Sequence, residues 1–557
     1  MPPRDPLTIL DTHEVANQPP LLADYNIYDR DPVLRAAVAR EGAGWAEERL
    51  QRFGAVLGSE RALKLGEATN RYPPELRAFD PSGRRIDEVE FHPAYHELMA
   101  LGVENGVHSI AWSATEKGGH VAHAALEYLL VQIEAGVCCP LTMTYAAMPV
   151  LRCHAGLAAQ WEARLLSGEY DPRALPVDEK RGATLGMAMT EKQGGSDIRA
   201  NTTRARRLGA CEPGEAFELT GHKWFCSAPM SDAFFTLAQT QRGLSCFFVP
   251  RWRQDGTRNP ILIQRLKDKL GNRSNASAEI EYKDTWGCLV GEEGRGVKTI
   301  IEMVHHTRLD TSLAAAGLMR QAVVQAVHHA SHRRAFQKHL VDQPLMRVVL
   351  ADLVMEWLAA TMMVMRVARA YDEAADDETA VLFARLGVAV TKLWVNKRLP
   401  GLVYEAMECL GGSGYVEESM LPRLYREAPL NSIWEGSGNV ICLDVLRTIE
   451  RTPAAMEVFV DEIEATAGGD RRLGALIGHI KDRLTKRKSA DPEAEARLLV
   501  QDMALALQAS LVLRHAPSAM ADAFVGSRLD AGRGLVFGTL APGSPCREII
   551  ELAQVGA

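Results

Sequence analysis

The sequence predicts a multidomain α+β protein with a helical N-terminal domain, a middle antiparallel β domain, a C-terminal four-helix bundle and an extra C-terminal helical domain. Apolar residues recur at spacings of three and four before residue 165 and after residue 296, which is the period of an α-helix. Between these regions, short apolar runs separated by turn residues indicate strands. With 557 residues, 47% of them apolar, the chain can bury several cores.

We assign the N-terminal domain to residues 1–180. After a proline-rich leader, Asp31 and Pro32 predict a helix start, because the aspartate side chain can accept from free amides and proline tolerates the first turn. The helical period then continues to about residue 165. Residues 167–180 contain two prolines and several charges, which indicate a linker.

The middle domain is assigned to residues 181–295. Its predicted strands are 184–189, 217–226, 233–240, 244–250 and 278–282. No strand leads into a Gly-x-Gly-x-x-Gly turn and a crossover helix, which argues against a Rossmann domain. We interpret residues 291–296, which contain three glycines, as a hinge turn.

The bundle is assigned to residues 296–450 and the extra helical domain to residues 451–557. Four long helical segments predict the bundle, at 297–334, 344–374, 378–410 and 435–450.

Composition excludes several classes of protein. The net charge of −8 argues against a surface devoted to nucleic acid, so a nucleic-acid site must be local. Ten cysteines without a Cys-x-x-Cys pair indicate reduced thiols. We see neither a signal peptide nor an uninterrupted apolar span, and therefore expect a cytoplasmic protein without a membrane partner. The histidine pairs 305–306 and 328–329 point to different sides of a helix, so we predict no metal site.

Two segments of the β region, 185–197 and 221–228, carry a family resemblance together with 267–273 and 289–296. Alone, the first reads as an ordinary glycine turn and the second as a strand with a core tryptophan. The four segments together resemble the middle domain of acyl-CoA dehydrogenases. In that family the first segment holds the pyrimidine edge of FAD and the second packs against the flavin ring. The resemblance implies FAD contacts from Met187, Thr190, Gly195, Ser196, Trp224, Phe225 and Ser227.

Two segments of the helical half resemble FAD-binding motifs of the same family. Arg333–Phe336 resembles its Arg-x-x-Phe-Gly segment, with Gln337 in place of the glycine, and residues 410–415 resemble its Leu-Gly-Gly-x-Gly-Tyr loop. In the family both reach FAD held mainly by an adjacent subunit. The resemblance therefore implies contacts from Arg333, Phe336, Gly411 and Gly412.

The segment Ile433–Asn439 resembles the family's aromatic-Glu-Gly-Thr/Ser signature. The resemblance places Glu435 as the catalytic base and Arg308 as the residue that orients it. Abstraction of a proton alpha to a thioester carbonyl requires a carboxylate whose pKa is tuned by burial. A glutamate that merely stabilises a helix N-terminus is the alternative. Further FAD contacts are implied for Ile433, Gly436, Ser437 and Asn439.

Segments 189–197, 267–276 and 431–439, with residues 40–45 and the helical tail, resemble the bacterial alkylation-response branch of the family. That resemblance implies a homotetramer with FAD, a tail that binds double-stranded DNA, a role in adaptation to alkylating agents, and weak dehydrogenation of acyl-CoA.

The tail itself supports DNA binding only through the arrangement of its charges. Residues 451–557 hold 13 Lys plus Arg and 14 Asp plus Glu, a net charge of −1. Five basic residues nevertheless lie within about two helical turns, with Arg447 before them in the chain, and together they form a basic cluster that would contact phosphates without reading bases. A solvated helix face is the alternative. The cluster comprises Arg447, Lys481, Arg483, Lys486, Arg487 and Lys488.

Three functions stay open from the sequence. The first is a DNA-associated flavoprotein of the alkylation response, and the second is a metabolic dehydrogenase for short or branched acyl-CoA with a tail used only in assembly. The third is a binding protein whose flavin is structural. Trp434 bears on all three, since an indole beside Glu435 would narrow the acyl cavity.

Overall fold

A computed structural model describes residues 6–210, 213–466, 469–486, 491–530 and 534–555. The first helix begins as predicted, with the Asp31 side chain accepting from the backbone N–H of Leu34 at 2.8 Å. The N-terminal elements are α1 (Pro32–Arg40), α2 (Glu47–Leu57), α3 (Glu60–Arg71), β1 (Glu75–Phe79), β2 (Arg85–Glu90), α4 (Pro93–Glu104), α5 (Ile110–Ser113), α6 (Gly119–Val131), α7 (Cys138–Arg152) and α8 (Ala155–Leu165).

The hairpin of β1 and β2 corrects the prediction of an all-helical N-terminal region. The two strands pair antiparallel, and an ion pair between Arg77 and Glu90 crosses them. Arg85 also donates to the backbone oxygen of Ile263 at 2.7 Å, which ties the hairpin to the middle domain. β1 has no buried residue, and β2 buries Val89 and the charged Asp87, so the two strands lack the apolar alternation by which a strand is recognised in a sequence.

The middle domain is a mixed sheet of seven strands rather than the antiparallel one predicted. In it β3 pairs parallel with β6, and β4 meets β6 in parallel at one position. A parallel pair requires a long connection, which residues 189–232 supply. Because β7 pairs with both β6 and β9, five strands close into a ring. The strands are β3 (Leu185–Ala188), β4 (Arg204–Ala210), β5 (Glu215–Ser227), β6 (Ala233–Thr240), β7 (Gly243–Pro250), β8 (Ile261–Leu266) and β9 (Ser277–Val290).

Long helices follow the sheet and form the bundle. The last of them begins at Gly438 rather than at 435, which corrects the predicted segment and leaves Glu435 in the preceding turn. The elements are α9 (Gly296–His332), β10 (Arg334–Ala335), β11 (Lys338–His339), α10 (Pro344–Glu373), α11 (Glu378–Cys409), α12 (Leu421–Glu427) and α13 (Gly438–Arg451).

The tail helices pack on the bundle and share its hydrophobic core. Glu462 illustrates the junction, because its carboxylate pairs with Arg366 of the bundle at 2.8 Å and with Arg514 of the tail at 2.5 Å. Helices α10 and α16 are long and apolar enough to span a membrane, but 89% and 78% of their apolar windows are buried inside the protein. The tail helices are α14 (Pro453–Glu464), α15 (Arg471–Lys486), α16 (Pro492–His515), α17 (Ser518–Leu529) and α18 (Cys546–Glu551).

Candidate active site

Glu435 lies in a strained turn between α12 and α13. Its φ of +57° is in the left-handed region, which a residue other than glycine adopts only where its surroundings enforce it. Gly436 follows with φ of +102°, where a side chain would be strained as well. The turn presents the Glu435 side chain toward α9.

Two neighbours on α9 hold Glu435. Thr307 donates its hydroxyl to Oε2 of the carboxylate at 2.7 Å, and Arg308 donates from Nε to the Glu435 backbone oxygen at 3.1 Å. Arg308 therefore contacts Glu435 through its backbone oxygen. Burial raises the pKa of Glu435, whereas the Thr307 hydrogen bond and the positive charges of Lys392 and Arg308 act to lower it. A raised pKa suits a base that must exchange a proton near neutral pH.

Asp444 fixes the guanidinium of Arg308. The Arg308 Nη1 lies 2.7 Å from Asp444 Oδ2, and the Arg385 Nη2 lies 2.7 Å from the other carboxylate oxygen. Burial opposes ionisation of this carboxyl, but hydrogen bonds and charges from the two arginines hold the pKa of Asp444 at about 2. Neither Asp444 nor Arg385 was predicted from the sequence, since neither lies in a motif and their pairing joins α11 to α13.

The two segments predicted to bind flavin lie next to each other. The Trp224 backbone N–H donates to the Thr190 oxygen at 2.8 Å. A side chain at Gly195 would lie 2.6 Å from the Thr190 Oγ1, so this close approach requires glycine. Met187 is buried at the end of β3, Thr190, Trp224 and Ser227 are half-buried, and Gly195, Ser196 and Phe225 are exposed. The exposed glycine loop and the neighbouring aromatic side chains are groups of the kind that can contact a planar cofactor.

A buried ion pair that was not predicted from the sequence anchors this edge. The Glu191 carboxylate accepts from Lys223 Nζ at 2.8 Å and from the backbone N–H groups of Thr202 and Thr203. Burial opposes its ionisation, yet Lys223 and these bonds hold the pKa of Glu191 far below its usual range. Burial also lowers the pKa of Lys223 to about 8, against the charge and the hydrogen bond of Glu191, which act to raise it. Nothing in the local pattern distinguishes Glu191 from a solvated loop residue.

The residues expected to reach a neighbouring subunit's FAD lie on the surface of the chain. Phe336 is 92% exposed, and Gln337, which replaces the family's glycine, adopts a φ of +66° in the turn between β10 and β11. Arg333 donates to the backbone oxygen of Asn17 at 2.6 Å. Gly411 and Gly412 are exposed with open space in front of them, as an incoming molecule would require.

The remaining predicted contacts flank Glu435. Ile433 is 64% exposed, Ser437 is half-buried just before α13, and the exposed Asn439 accepts from Arg497 Nε at 2.8 Å. Asn439 is therefore joined to helix α16 of the tail.

The basic cluster of the tail is partly neutralised by its neighbours. Lys481 pairs with Glu464 at 2.5 Å, and Arg483 lies 3.6 Å from Glu495 and 3.7 Å from Asp502. Arg447 is exposed on α13. Arg487 and Lys488 lie outside the described residues, as does the side chain of Lys486.

Comparison with protein families divides most of the chain into three matches. Residues 17–172 match the N-terminal domain of the adaptive response protein AidB. Residues 186–285 match the acyl-CoA dehydrogenase middle domain, and residues 294–450 match the acyl-CoA dehydrogenase C-terminal domain.

Individual proteins extend these matches. The putative acyl-CoA dehydrogenase AidB of Escherichia coli is 46% identical over 526 residues, which cover 94% of this chain and 96% of the relative. Caenorhabditis elegans ACDH-11 in complex with C11-CoA has a TM-score of 0.83 at 26% identity, covering 99% of this chain and 94% of that one. A Bacillus anthracis acyl-CoA dehydrogenase complexed with FAD shares the fold at a TM-score of 0.60 and 17% identity, with 83% and 79% coverage.

Proposed function

The chain belongs to the acyl-CoA dehydrogenase family as an AidB-type member, and from this membership we propose that Glu435 removes the α proton of an acyl-CoA thioester. The observation that carries the proposal is the pair of hydrogen bonds that keep Glu435 in place. Thr307 binds one carboxylate oxygen and Arg308 binds the backbone oxygen, so the side chain is fixed before substrate arrives.

We assign FAD as the cofactor, because the family is one of FAD-dependent oxidoreductases and the B. anthracis structure of this fold contains it. When bound, FAD supplies the acceptor for the hydride that leaves the substrate Cβ. The loop at Thr190–Ser196 would hold its pyrimidine edge, and Trp224, Phe225 and Ser227 would pack against the ring. Arg333, Phe336, Gly411 and Gly412 would serve the FAD of a neighbouring subunit in a homotetramer.

Glu435 has one task in this scheme. Its carboxylate takes the proton from Cα, and the electrons of that C–H bond form the new Cα–Cβ double bond. Since Thr307 donates to Oε2, we assign Oε1 as the oxygen that receives the proton. Burial, which raises the pKa of Glu435, favours the neutral acid that results.

Trp434 sets the proposed substrate range. Its indole N–H donates to Asn431 Oδ1 at 2.9 Å, and Asn431 is buried, so the ring is held beside the base. A fixed indole leaves less room for an acyl chain, and we therefore propose short or branched acyl-CoA as substrate. C. elegans ACDH-11, whose structure contains C11-CoA, is the relative with a longer acyl chain against which this proposal is compared.

Anaerobic mixing of the FAD-loaded protein with butyryl-, isovaleryl- and undecanoyl-CoA tests this proposal. Bleaching of the flavin is expected with the first two, slower bleaching with the third, and none above background in Glu435→Gln. Bleaching of Glu435→Gln at the unsubstituted protein's rate would rule out Glu435 as the base.

The second function is binding of double-stranded DNA without sequence preference, by a cytoplasmic protein acting in the response to alkylation. It is supported by the matched adaptive response domain, the likeness to E. coli AidB and the basic cluster at 481–488 with Arg447. Four copies in a tetramer would add weak phosphate contacts by avidity. The metabolic dehydrogenase without a DNA role and the protein with a purely structural flavin are the alternatives.

Titration with duplex DNA at two salt concentrations separates these alternatives. For every phosphate that the protein no longer neutralises, the salt slope falls by about 0.9. We expect Lys486, Arg487 and Lys488 reversed together to glutamate to weaken binding and flatten that slope. The matched control reverses Arg52, Lys64 and Arg71, which are exposed on α2 and α3. Equal weakening in both triple variants would assign binding to overall charge and contradict the tail site.

A further inference from the structure

Three successive backbone oxygens in the Glu435 turn accept hydrogen bonds from two buried cations. Lys392 Nζ donates to the Trp434 oxygen at 2.7 Å and to the Gly436 oxygen. Arg308 Nε donates to the Glu435 oxygen between them at 3.1 Å. Lys392 therefore binds the backbone oxygens of the residues just before and just after the base.

Lys392 is an unusual lysine because it is only 1% exposed, in the middle of the long helix α11. A buried ammonium is costly unless hydrogen bonds and opposite charge compensate it. The two carbonyls of the Glu435 turn supply hydrogen bonds, and the Glu435 carboxylate supplies opposite charge. The cost of burying Lys392 is thus offset by the turn that it holds.

We propose that Lys392 is a positioning residue for the base, which holds the turn at residues 434–436 in its left-handed conformation and balances the charge of ionised Glu435. The inference rests on the proposed role of Glu435. Without the ammonium, the carbonyls of Trp434 and Gly436 lose their donor and the turn relaxes. A displacement of about 1 Å at a reacting group costs on the order of a hundredfold in rate.

The charges around Lys392 determine the direction of the electrostatic effect. Arg308 approaches from α9 with Thr307, while Arg385 and Lys397 lie on α11, and Asp444 on α13 pairs with Arg308 and Arg385. Burial lowers the pKa of Lys392 to about 7, Glu435 acts to raise it, and Arg308 and Lys397 lower it further. Removal of this cation takes away a charge that favours ionised Glu435, so the pKa of Glu435 should rise.

The test compares Lys392→Met, Lys392→Gln and Lys392→Arg in the FAD-loaded protein. The control is Lys180→Met, which removes another buried lysine, paired at 2.5 Å with Asp232 in the middle domain. Three quantities are measured for each variant: the butyryl-CoA dissociation constant from the flavin spectrum, the rate of anaerobic bleaching, and the protonation midpoint of Glu435. The midpoint comes from infrared difference spectra, in which the Glu435 band is identified by its absence in Glu435→Gln.

We expect Lys392→Met to bleach at least about tenfold more slowly, with the butyryl-CoA dissociation constant unchanged within about threefold. The Glu435 midpoint should rise by about one pH unit. Lys392→Arg should recover part of both effects, because it retains the charge and the donors. Lys180→Met should unfold at a lower temperature but keep the Glu435 midpoint and the bleaching rate.

An unchanged bleaching rate and midpoint in Lys392→Met would overturn the inference. If Lys392→Met does not fold, the same readings from Lys392→Gln decide. If none of the acyl-CoAs bleaches the unsubstituted protein, the infrared midpoint decides, and an unmoved midpoint overturns the inference. Failure of the proposed function gives a different result. In that case Glu435→Gln would bleach as fast as the unsubstituted protein, whether or not the Lys392 variants differ from it.

Discussion

The turn at Glu435 and the basic cluster of the tail both contain charged residues, but those that hold the turn are buried, and those of the cluster that the structure describes lie at the surface. In the turn, Arg308, Lys392 and Asp444 are buried, and their hydrogen bonds go to fixed oxygens or guanidinium groups. In the tail, the ion pair of Lys481 and Glu464 lies on the surface, and the two side chains are 48% and 40% exposed. Buried charges determine geometry because they cannot move, whereas surface charges act through a field that salt screens. The same substitution should therefore have very different effects in the two regions.

The largest contrast is expected from replacing a buried arginine at the turn and an exposed arginine of the basic cluster by methionine. Arg308→Met removes the donor to the Glu435 backbone and one of two cations on Asp444, which should cost about 3–5 kcal/mol in the free energy of unfolding. Arg447→Met, at an exposed position of α13, should change it by less than about 0.5 kcal/mol. Urea unfolding of both variants measures the contrast. Equal losses would show that the turn is not held by its buried charges.

A smaller effect is expected when only the carboxylate's hydrogen bond is removed. Thr307→Val keeps the shape but not the hydroxyl that donates to Glu435 Oε2. Hydrogen bonds to charged groups contribute about 1.5–3 kcal/mol, and this one lowers the pKa of Glu435. The acid limb of the bleaching rate against pH should therefore move to higher pH by about one to two units. Thr307→Ser retains the hydroxyl and should leave the limb in place, while a matching shift in Thr307→Ser would contradict this assignment.

Asp444 should make the stability of the turn depend on pH. Its pKa is lowered from 3.8 to about 2 by the arginines that pair with it, against the effect of burial. A depressed pKa contributes stability that is complete above pH 4 and is lost as pH falls toward 2. The contribution is about 2.5 kcal/mol at roughly 1.4 kcal/mol per pKa unit. Urea unfolding between pH 2 and 6 should show this loss in the unsubstituted protein, and a loss of the same size in Asp444→Asn would assign it to other groups.

The smallest effect belongs to the surface pair of the tail. Glu464→Gln removes the partner of Lys481, and exposed pairs contribute at most about 1 kcal/mol, so the free energy of unfolding should hardly change. The freed positive charge should strengthen binding to duplex DNA a few-fold at low salt and not at high salt. Anisotropy titrations at both salt concentrations measure this. Weaker binding by Glu464→Gln would remove Lys481 from the proposed DNA surface.

The sequence predicted what local patterns encode. The period of three and four indicated the long helices, and the matched families and solved structures confirm the fold class and the acyl-CoA dehydrogenase resemblance. The parallel pairing of β3 with β6 was missed, because pairing between distant strands leaves no local signal. The exposed strand β4, rich in arginine, was missed for lack of apolar alternation. The assignments of individual site residues and the domain boundaries stay predictions.

The supports of the site were harder to find than its motifs. Asp444, Arg385 and Glu191 act through partners far away in the sequence, and each resembles a solvated charge when considered alone. Lys392 did leave a signal, since it interrupts the apolar run Val388–Val395. A lone lysine in a helix segment that is otherwise apolar is expected to be buried and compensated, and lysines are rarely buried without a partner.

The proposed chemistry depends on Glu435 as a base that the fold holds in place. Its most direct test is the anaerobic bleaching rate of the FAD-loaded protein with a short acyl-CoA, compared between the unsubstituted protein and Glu435→Gln. General base catalysis contributes about a hundredfold to ten-thousandfold, so the variant should bleach slower by at least a hundredfold while still binding the acyl-CoA. Equal rates with equal binding would contradict this role of Glu435.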